Sequence, residues 1–172
     1  LTVGAIALGS LFGALEVATV AFADDAGRKG LSGLMLGAFS LGSLIAGFVA
    51  GTVTWQRPPL ERARIGAALL AVGTVSLPFL PSLEVATVTL FVTGLALAPT
   101  LITLFSLIEA AVPRSRLNEA MGVVQTGMSG GIAPGAWFAG LAADSAGGSS
   151  AYWVCTGSAV LAALALTMVR ER

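Results

Sequence analysis

Six long apolar stretches, separated by short segments rich in charge, proline and glycine, make up almost the whole chain. Each stretch is long enough to cross a hydrocarbon core as an α-helix, and none alternates with the period of two that barrel strands require. The pattern therefore predicts an all-α integral membrane protein with six transmembrane helices. We place the helices near residues 1–23, 31–54, 64–80, 83–111, 118–143 and 150–169.

The composition agrees with a membrane protein and excludes several kinds of site. Of the 172 residues, 56% are hydrophobic and 10% are charged, whereas a soluble domain carries roughly 25% charged residues. The net charge is zero and there is no basic block, which argues against nucleic acid as a partner. Because histidine is absent and Cys155 is the single cysteine, we expect no metal site and no intrachain disulfide.

Lysine and arginine are distributed unequally between the two ends of the predicted helices. Besides Arg28 and Lys29, all of them lie in the second loop, in the fourth loop or at the C-terminus. Since cytoplasmic loops carry an excess of these residues, both ends of the segment and the loop 55–63 are predicted to be cytoplasmic. The residues on the predicted cytoplasmic side are Arg57, Arg62, Arg64, Arg114, Arg116, Arg170 and Arg172.

Glu16 is an acidic residue deep inside the first apolar stretch. It precedes Asp24 by eight residues, which places it roughly 12 Å inside the membrane boundary that the acid marks. An ionised side chain at this depth costs on the order of a few kcal/mol, so an intramembrane acid is a candidate for function. The alternative is a neutral carboxyl that is hydrogen-bonded between helices.

Helical wheels separate a polar face from an apolar face on three of the helices. On the first helix, Glu16 lies opposite a face that we expect to contact lipid, formed by Leu8, Leu11, Leu15, Ala18 and Phe22. Polar stripes on the fourth and fifth helices supply further candidate site residues, namely Thr100, Thr103, Gln125 and Met128. The alternatives are hydroxyls bonded to their own turn, an interhelical hydrogen bond from the amide, and a methionine that fills a gap in the core.

Glycines four residues apart recur along the chain. This spacing lets helix backbones approach closely in lipid, so it predicts a tightly packed bundle. The pairs are Gly9/Gly13, Gly33/Gly37, Gly47/Gly51 and Gly131/Gly135.

The six-helix pattern with a basic second loop resembles the C-terminal half of a major facilitator superfamily transporter. Residues 47–57, followed by Arg62 and Arg64, look like the degenerate copy of the glycine and arginine loop motif of that family. The acidic residue that usually follows the glycine is absent between Thr52 and Gln56. Residues 94–100 and the helix start at 118–122 are similar to bacterial efflux-type members.

The resemblance implies an architecture, a function and a location. The first and fourth helices would line a central cavity, the second and fifth would flank it, and the third and sixth would support it from outside. The function would be secondary active transport of a small molecule by alternating access, as proton-coupled efflux, in the bacterial inner membrane. The N-terminal six-helix half of the transporter would be a partner that this chain lacks.

The resemblance also implies roles for the candidate residues. Glu16 would bind a coupling proton or attract a cationic group of the substrate, in a site shared with Thr100, Thr103, Gln125 and Met128. A cytoplasmic gate would contain Gly51, Arg57, Arg62, Arg64 and Glu119, while anchoring at the membrane surface explains the arginines equally well.

Two alternatives to half of a twelve-helix transporter stay open on the sequence. The chain is also compatible with a complete six-helix protein that works as a homodimer, or with a non-catalytic structural subunit of a membrane complex. An enzyme is not expected, because histidine, paired intramembrane carboxylates and a Gly-x-Ser-x-Gly elbow are all missing. The expected partners are therefore membrane lipid, a small molecule and the proton, with no cofactor.

Overall fold

Helix covers almost all of residues 2–169, the part of the chain that our computed structural model describes. Short 3₁₀ turns at Lys29–Leu31, Leu77–Phe79 and Arg114–Arg116 lead into or out of the long helices, and no strand occurs within the described residues. The all-α prediction is thereby confirmed. The long helices are α1 (Thr2–Asp25), α2 (Ser32–Thr52), α3 (Pro59–Ser76), α4 (Leu83–Ala111), α5 (Leu117–Ala146) and α6 (Gly148–Thr167).

Four of the six helices are long and apolar enough to cross a membrane by length and composition. They are α1, α2 together with its preceding turn, α4 and α6. The helix α3 has only 18 residues and begins with charged side chains, while α5 carries many polar and small residues along its length. Spanning by α3 and α5 therefore stays a prediction. Leu1, Arg170 and Arg172, which also entered the sequence predictions, lie outside the described residues.

The helix α3 begins at Pro59, five residues earlier than predicted. Proline suits the first turn of a helix because the N–H that it lacks would have no partner there. Glu61 in the same turn interacts favourably with the helix dipole. The predicted loop 55–63 is thus reduced to a connection over residues 53–58, since charged residues near a membrane boundary occur in helix starts as well as in loops.

The six helices pack as two groups of three, and each group combines helices from both halves of the sequence. The helix α1 packs mainly against α5 and α6, whereas α4 packs mainly against α2 and α3. Consecutive helices make few contacts in three places: between α1 and α2, between α2 and α3, and between α4 and α5. We call α1, α5 and α6 the first triad, and α2, α3 and α4 the second triad; contacts between α3 and α6 join them.

Glycines allow the closest helix crossings within each triad. A Cβ on any of them would collide with the backbone of the facing helix, so the approach depends on the missing side chain. In the first triad, four glycines of the predicted pairs meet at the α1–α5 crossing: Gly9, Gly13, Gly131 and Gly135. In the second triad, Gly42 and Gly94 form the α2–α4 crossing.

The leucine face of α1 is buried, so the prediction that it contacts lipid is wrong. Leu8, Leu11 and Leu15 are each at most 2% exposed, because α5 and α6 together cover α1 on more than one side. Ser10 shares a 2.9 Å hydrogen bond with Ser158 of α6, which adds a polar contact within this packing. A wheel of one helix cannot show how many neighbours that helix has.

The two ends of the bundle are held by charged side chains. At one end, which we call the basic end, the Arg64 guanidinium donates to the main-chain carbonyls of Leu166, Thr167 and Val169 at 2.8–3.2 Å. At the opposite end, the Asp25 carboxylate accepts a hydrogen bond from the main-chain N–H of Gly148. The helix α6 is therefore fastened at its C-terminus to α3 and at its N-terminus to α1.

Candidate functional site

Glu16 opens into a cavity of about 280 Å³ between α1, α2 and α4. The glycine crossing draws α2 onto α4, whereas α1 makes few contacts with α2, and the cavity is the space left between them. Phe12 of α1 and Phe39 of α2 contribute aromatic walls, together with leucines from all three helices. Ser40 and Ser43 of α2 complete the polar lining. We call this space the Glu16 cavity.

Glu16 is the only exposed residue of α1 between Ile6 and Asp24. It precedes the end of the helix at Asp25 by nine residues, or roughly 13 Å. Among the described residues, no ion-pair or hydrogen-bond partner satisfies its carboxyl group. The carboxyl is therefore accessible from the cavity and available to a ligand.

Hydroxyl groups inside the helices differ in whether they are already hydrogen-bonded. On α4, each hydroxyl donates to the carbonyl four residues earlier, at Thr87, Thr89, Thr93, Thr100, Thr103 and Ser106. Ser40 and Ser43 have no side-chain hydrogen bond with any described residue, although they lie in mid-helix. Their donors and acceptors are therefore free for a ligand, whereas those on α4 have used their donors.

Thr100 and Thr103 are buried, but they do not share the Glu16 cavity. They are 0% and 1% exposed, and each hydroxyl lies 2.6 Å from the carbonyl four residues before it. The Thr100 side chain packs against Gly66 of α3. The structure thus joins Glu16 with Ser40 and Ser43, and it places the two threonines within the packing of the second triad.

Gln125 and Met128 lie on α5, which contributes no residue to the lining of the Glu16 cavity. Met128 is half-buried, and its main-chain carbonyl touches Gly9. Gln125 is exposed and, like its exposed neighbours Thr126 and Ser129, forms no side-chain hydrogen bond with another described residue. These two predicted site residues therefore belong to a separate polar strip on α5.

The predicted gate residues lie at three places on the basic end. Arg57 pairs with Glu61 at 2.6 Å, and Arg62 stacks over Trp55 with its guanidinium carbon 4.3 Å from the ring centroid. Arg64 binds the end of α6, as described above. The three arginines therefore order the connection between α2 and α3 and attach it to α6.

The remaining gate residues, Gly51 and Glu119, lie in different surroundings. Gly51 is exposed, and a Cβ there would have no described atom within 4 Å. Glu119 and Arg116 line a second cavity, of about 320 Å³, between the start of α1, the end of α4 and the start of α5. This cavity and the Glu16 cavity both lie between the two triads.

Ser40, Ser43 and Phe39 were not among the sequence-predicted site residues. The two serines are three positions apart in mid-helix, so they share one face of α2. That spacing was a signal in the sequence, but it is weak, because most serines in membrane helices bond to their own turn.

Comparisons with known proteins identify a family. Searches of curated proteins and of solved structures gave no match. A model of the Major Facilitator Superfamily matches residues 1–172, which is the entire chain. The match agrees with an all-helical chain in which four helices are apolar enough to cross a membrane. The protein therefore belongs to the major facilitator superfamily, whose members are membrane transporters of small molecules.

Proposed function

We propose that this chain is the C-terminal six-helix half of a bacterial efflux-type transporter that works by proton-coupled alternating access. All six helices cross the inner membrane, and the basic end, with both ends of the chain, lies in the cytoplasm. The observation that carries the proposal is Glu16, an accessible acid and the only exposed residue of α1 between Ile6 and Asp24. The arginines at the basic end support the orientation.

Glu16 has the position that a coupling carboxyl needs. Its ionised form is tolerated while the cavity is open to water, but closure around it would impose a cost of a few kcal/mol. Protonation of Glu16 or binding of an organic cation to it neutralises that charge. The cavity therefore closes only when Glu16 carries a proton or a bound cation. This condition couples the movement of a proton to the movement of the substrate, with the two halves of the transporter rocking around the site.

The other predicted residues have supporting roles in this proposal. Thr100 and Thr103 fix α4 against α3, and thereby hold one wall of the Glu16 cavity. Gln125 and Met128 lie on the separate polar strip of α5, which would face the N-terminal half of the transporter. Arg57, Arg62 and Arg64 hold the connection that follows Gly51 at the cytoplasmic gate. Glu119 would belong to the same gate from α5, where it lines the second cavity with Arg116.

A Glu16→Gln variant of the complete transporter tests this function in proteoliposomes. Glutamine cannot exchange a proton, so we expect substrate accumulation driven by a pH gradient to fall at least tenfold, while exchange of labelled for unlabelled substrate continues. Glu109→Gln is the matched control, because Glu109 is exposed near the end of α4 and outside the Glu16 cavity. Unchanged gradient-driven accumulation by Glu16→Gln would rule out the coupling role.

A further inference from the structure

We propose that the Glu16 cavity binds a protonated amine with an apolar body, and that Ser40 and Ser43 recognise its N–H groups. This inference rests on the proposed transport function and specifies the substrate class. It assigns a specificity role to two serines that were not among the sequence-predicted site residues.

The charge of the cavity favours a cation. Glu16 is the only charged residue in the lining, and no described basic side chain faces it. The walls are otherwise mainly leucine and phenylalanine, so closure of the cavity leaves little water to screen a bound charge and strengthens its attraction to the carboxylate. An anion would be repelled by the same carboxylate.

The apolar walls favour a small ligand with an aromatic or aliphatic body. A volume of about 280 Å³ is at the lower limit of typical ligand pockets. Phe12 and Phe39 both line the cavity, where they add area for burial and a ring face for a cation. A phenylalkyl ammonium ion combines these properties at a size that the cavity accommodates.

The free hydroxyls distinguish among cations. A primary ammonium group carries three N–H donors, and the cavity offers three acceptors: the Glu16 carboxylate and the hydroxyl oxygens of Ser40 and Ser43. A quaternary ammonium group has the same charge but no donor, so it leaves the hydroxyls unpaired. Sites that hydrogen-bond a ligand group discriminate strongly against analogues that lack it.

Binding of three matched ions to the complete transporter at neutral pH tests the inference. The probes are 2-phenylethylammonium, its N,N,N-trimethyl analogue and 3-phenylpropionate, measured by calorimetry on purified protein in lipid nanodiscs. We expect the primary ammonium to bind about tenfold more tightly than the quaternary ion, as expected for one or two hydrogen bonds to a charged group. The carboxylate should not bind measurably.

Three variants separate hydrogen bonding from size. The double variant Ser40→Ala, Ser43→Ala should reduce the preference for the primary ion to about twofold. Ser40→Cys, Ser43→Cys should do the same, because a thiol occupies similar space but is a weak hydrogen-bonding group. Ser106→Ala is the control, since that hydroxyl is bonded to Ile102 and lies outside the cavity, and it should keep the full preference.

The outcomes are distinguishable from those of the proposed function. A preference that disappears in the alanine variant but persists in the cysteine variant reflects size alone and overturns the inference. Equal binding of the three ions overturns it as well, and if the reconstituted protein still transports another solute the proposed function stands. Reconstituted protein that transports no member of a broad solute panel contradicts the proposed function itself.

Discussion

A charged residue from another helix contacts each end of α6, and one of the two, Arg64, entered the sequence predictions only as a gate or anchoring residue. The arginines 57, 62 and 64 form one basic segment in the sequence, yet each has a different partner in the structure. Arg64 alone reaches another long helix, where it binds main-chain carbonyls at the end of α6. A guanidinium at this position satisfies main-chain groups that no helical N–H can reach.

Replacing Arg64 should therefore cost more stability than replacing Arg57. We expect Arg64→Ala to lower the free energy of unfolding by about 1–2 kcal/mol, because several hydrogen bonds to a helix end are lost together. Arg57→Ala removes one exposed ion pair to Glu61, which is worth about 0.3–0.5 kcal/mol. Equilibrium unfolding in mixed micelles measures both, and equal losses would show that the contact with α6 is unimportant.

At the residue scale, the sequence identified the acid of the candidate site but not its hydroxyls. Glu16 is conspicuous because a charge in an apolar stretch is costly wherever the helix lies. Ser40 and Ser43 are inconspicuous, since a serine in a membrane helix can satisfy itself by bonding to its own turn. Whether it does so depends on the neighbouring helix, and therefore on contacts that a single stretch of sequence does not contain.

At the scale of helices, the crossings depend on glycines whose role differs from one position to the next. Gly13 faces the backbone of α5 so closely that a Cβ would collide with it. Gly157 of α6 would have no described atom within 4 Å of a Cβ. The same residue type thus closes a crossing in one helix and does nothing for packing in another.

These two glycines give a matched pair of substitutions. Gly13→Ala should lower the free energy of unfolding by about 1–3 kcal/mol, because an overpacked site must separate α1 from α5. Gly157→Ala should leave stability unchanged or raise it by about 0.5–1 kcal/mol, because alanine favours the helix. Thermal unfolding in detergent compares them. A Gly13→Ala protein as stable as wild type would mean that the crossing tolerates a wider spacing.

Some features of the helices could be predicted from the sequence and others could not. Long apolar stretches predict helices because backbone groups in lipid must be hydrogen-bonded within the segment. The start of α3 at Pro59 was missed because its first turn carries charge, which resembles a loop. The burial of Leu8 and Leu11 was missed for a different reason: lipid and a protein interior are equally apolar, so a leucine face does not reveal which of them it contacts.

For the whole molecule, the exchange of helices between the sequence halves decides how the chain holds together. Neither residues 1–81 nor residues 82–172 contain a complete triad, since α1 needs α5 and α6 while α4 needs α2 and α3. The order of helices along the chain could not predict this arrangement, because the helices that pack together are determined by contacts between residues far apart in sequence.

Division of the complete transporter's chain between Pro81 and Ser82 should consequently leave an assembled protein. We expect the two coexpressed fragments to copurify through a tag on one of them, because each supplies the missing helices of both triads. Either fragment expressed alone should be degraded or aggregated, as judged by its yield and protease resistance. A fragment with residues 1–81 that is protease-resistant by itself would contradict the exchanged arrangement.

The attachment of α6 at both ends has a consequence for biosynthesis. Of the six helices, α6 leaves the ribosome last, when the helices that carry Asp25 and Arg64 have already been synthesised. The Asp25 carboxylate then contacts the N-terminus of α6, and the Arg64 guanidinium contacts its C-terminus. Each charge is opposite in sign to the end of the helix dipole that it contacts. Docking of α6 therefore depends on α1 and α3 being in place, because a chain in which either helix is misplaced leaves one end of the last helix without its charged partner.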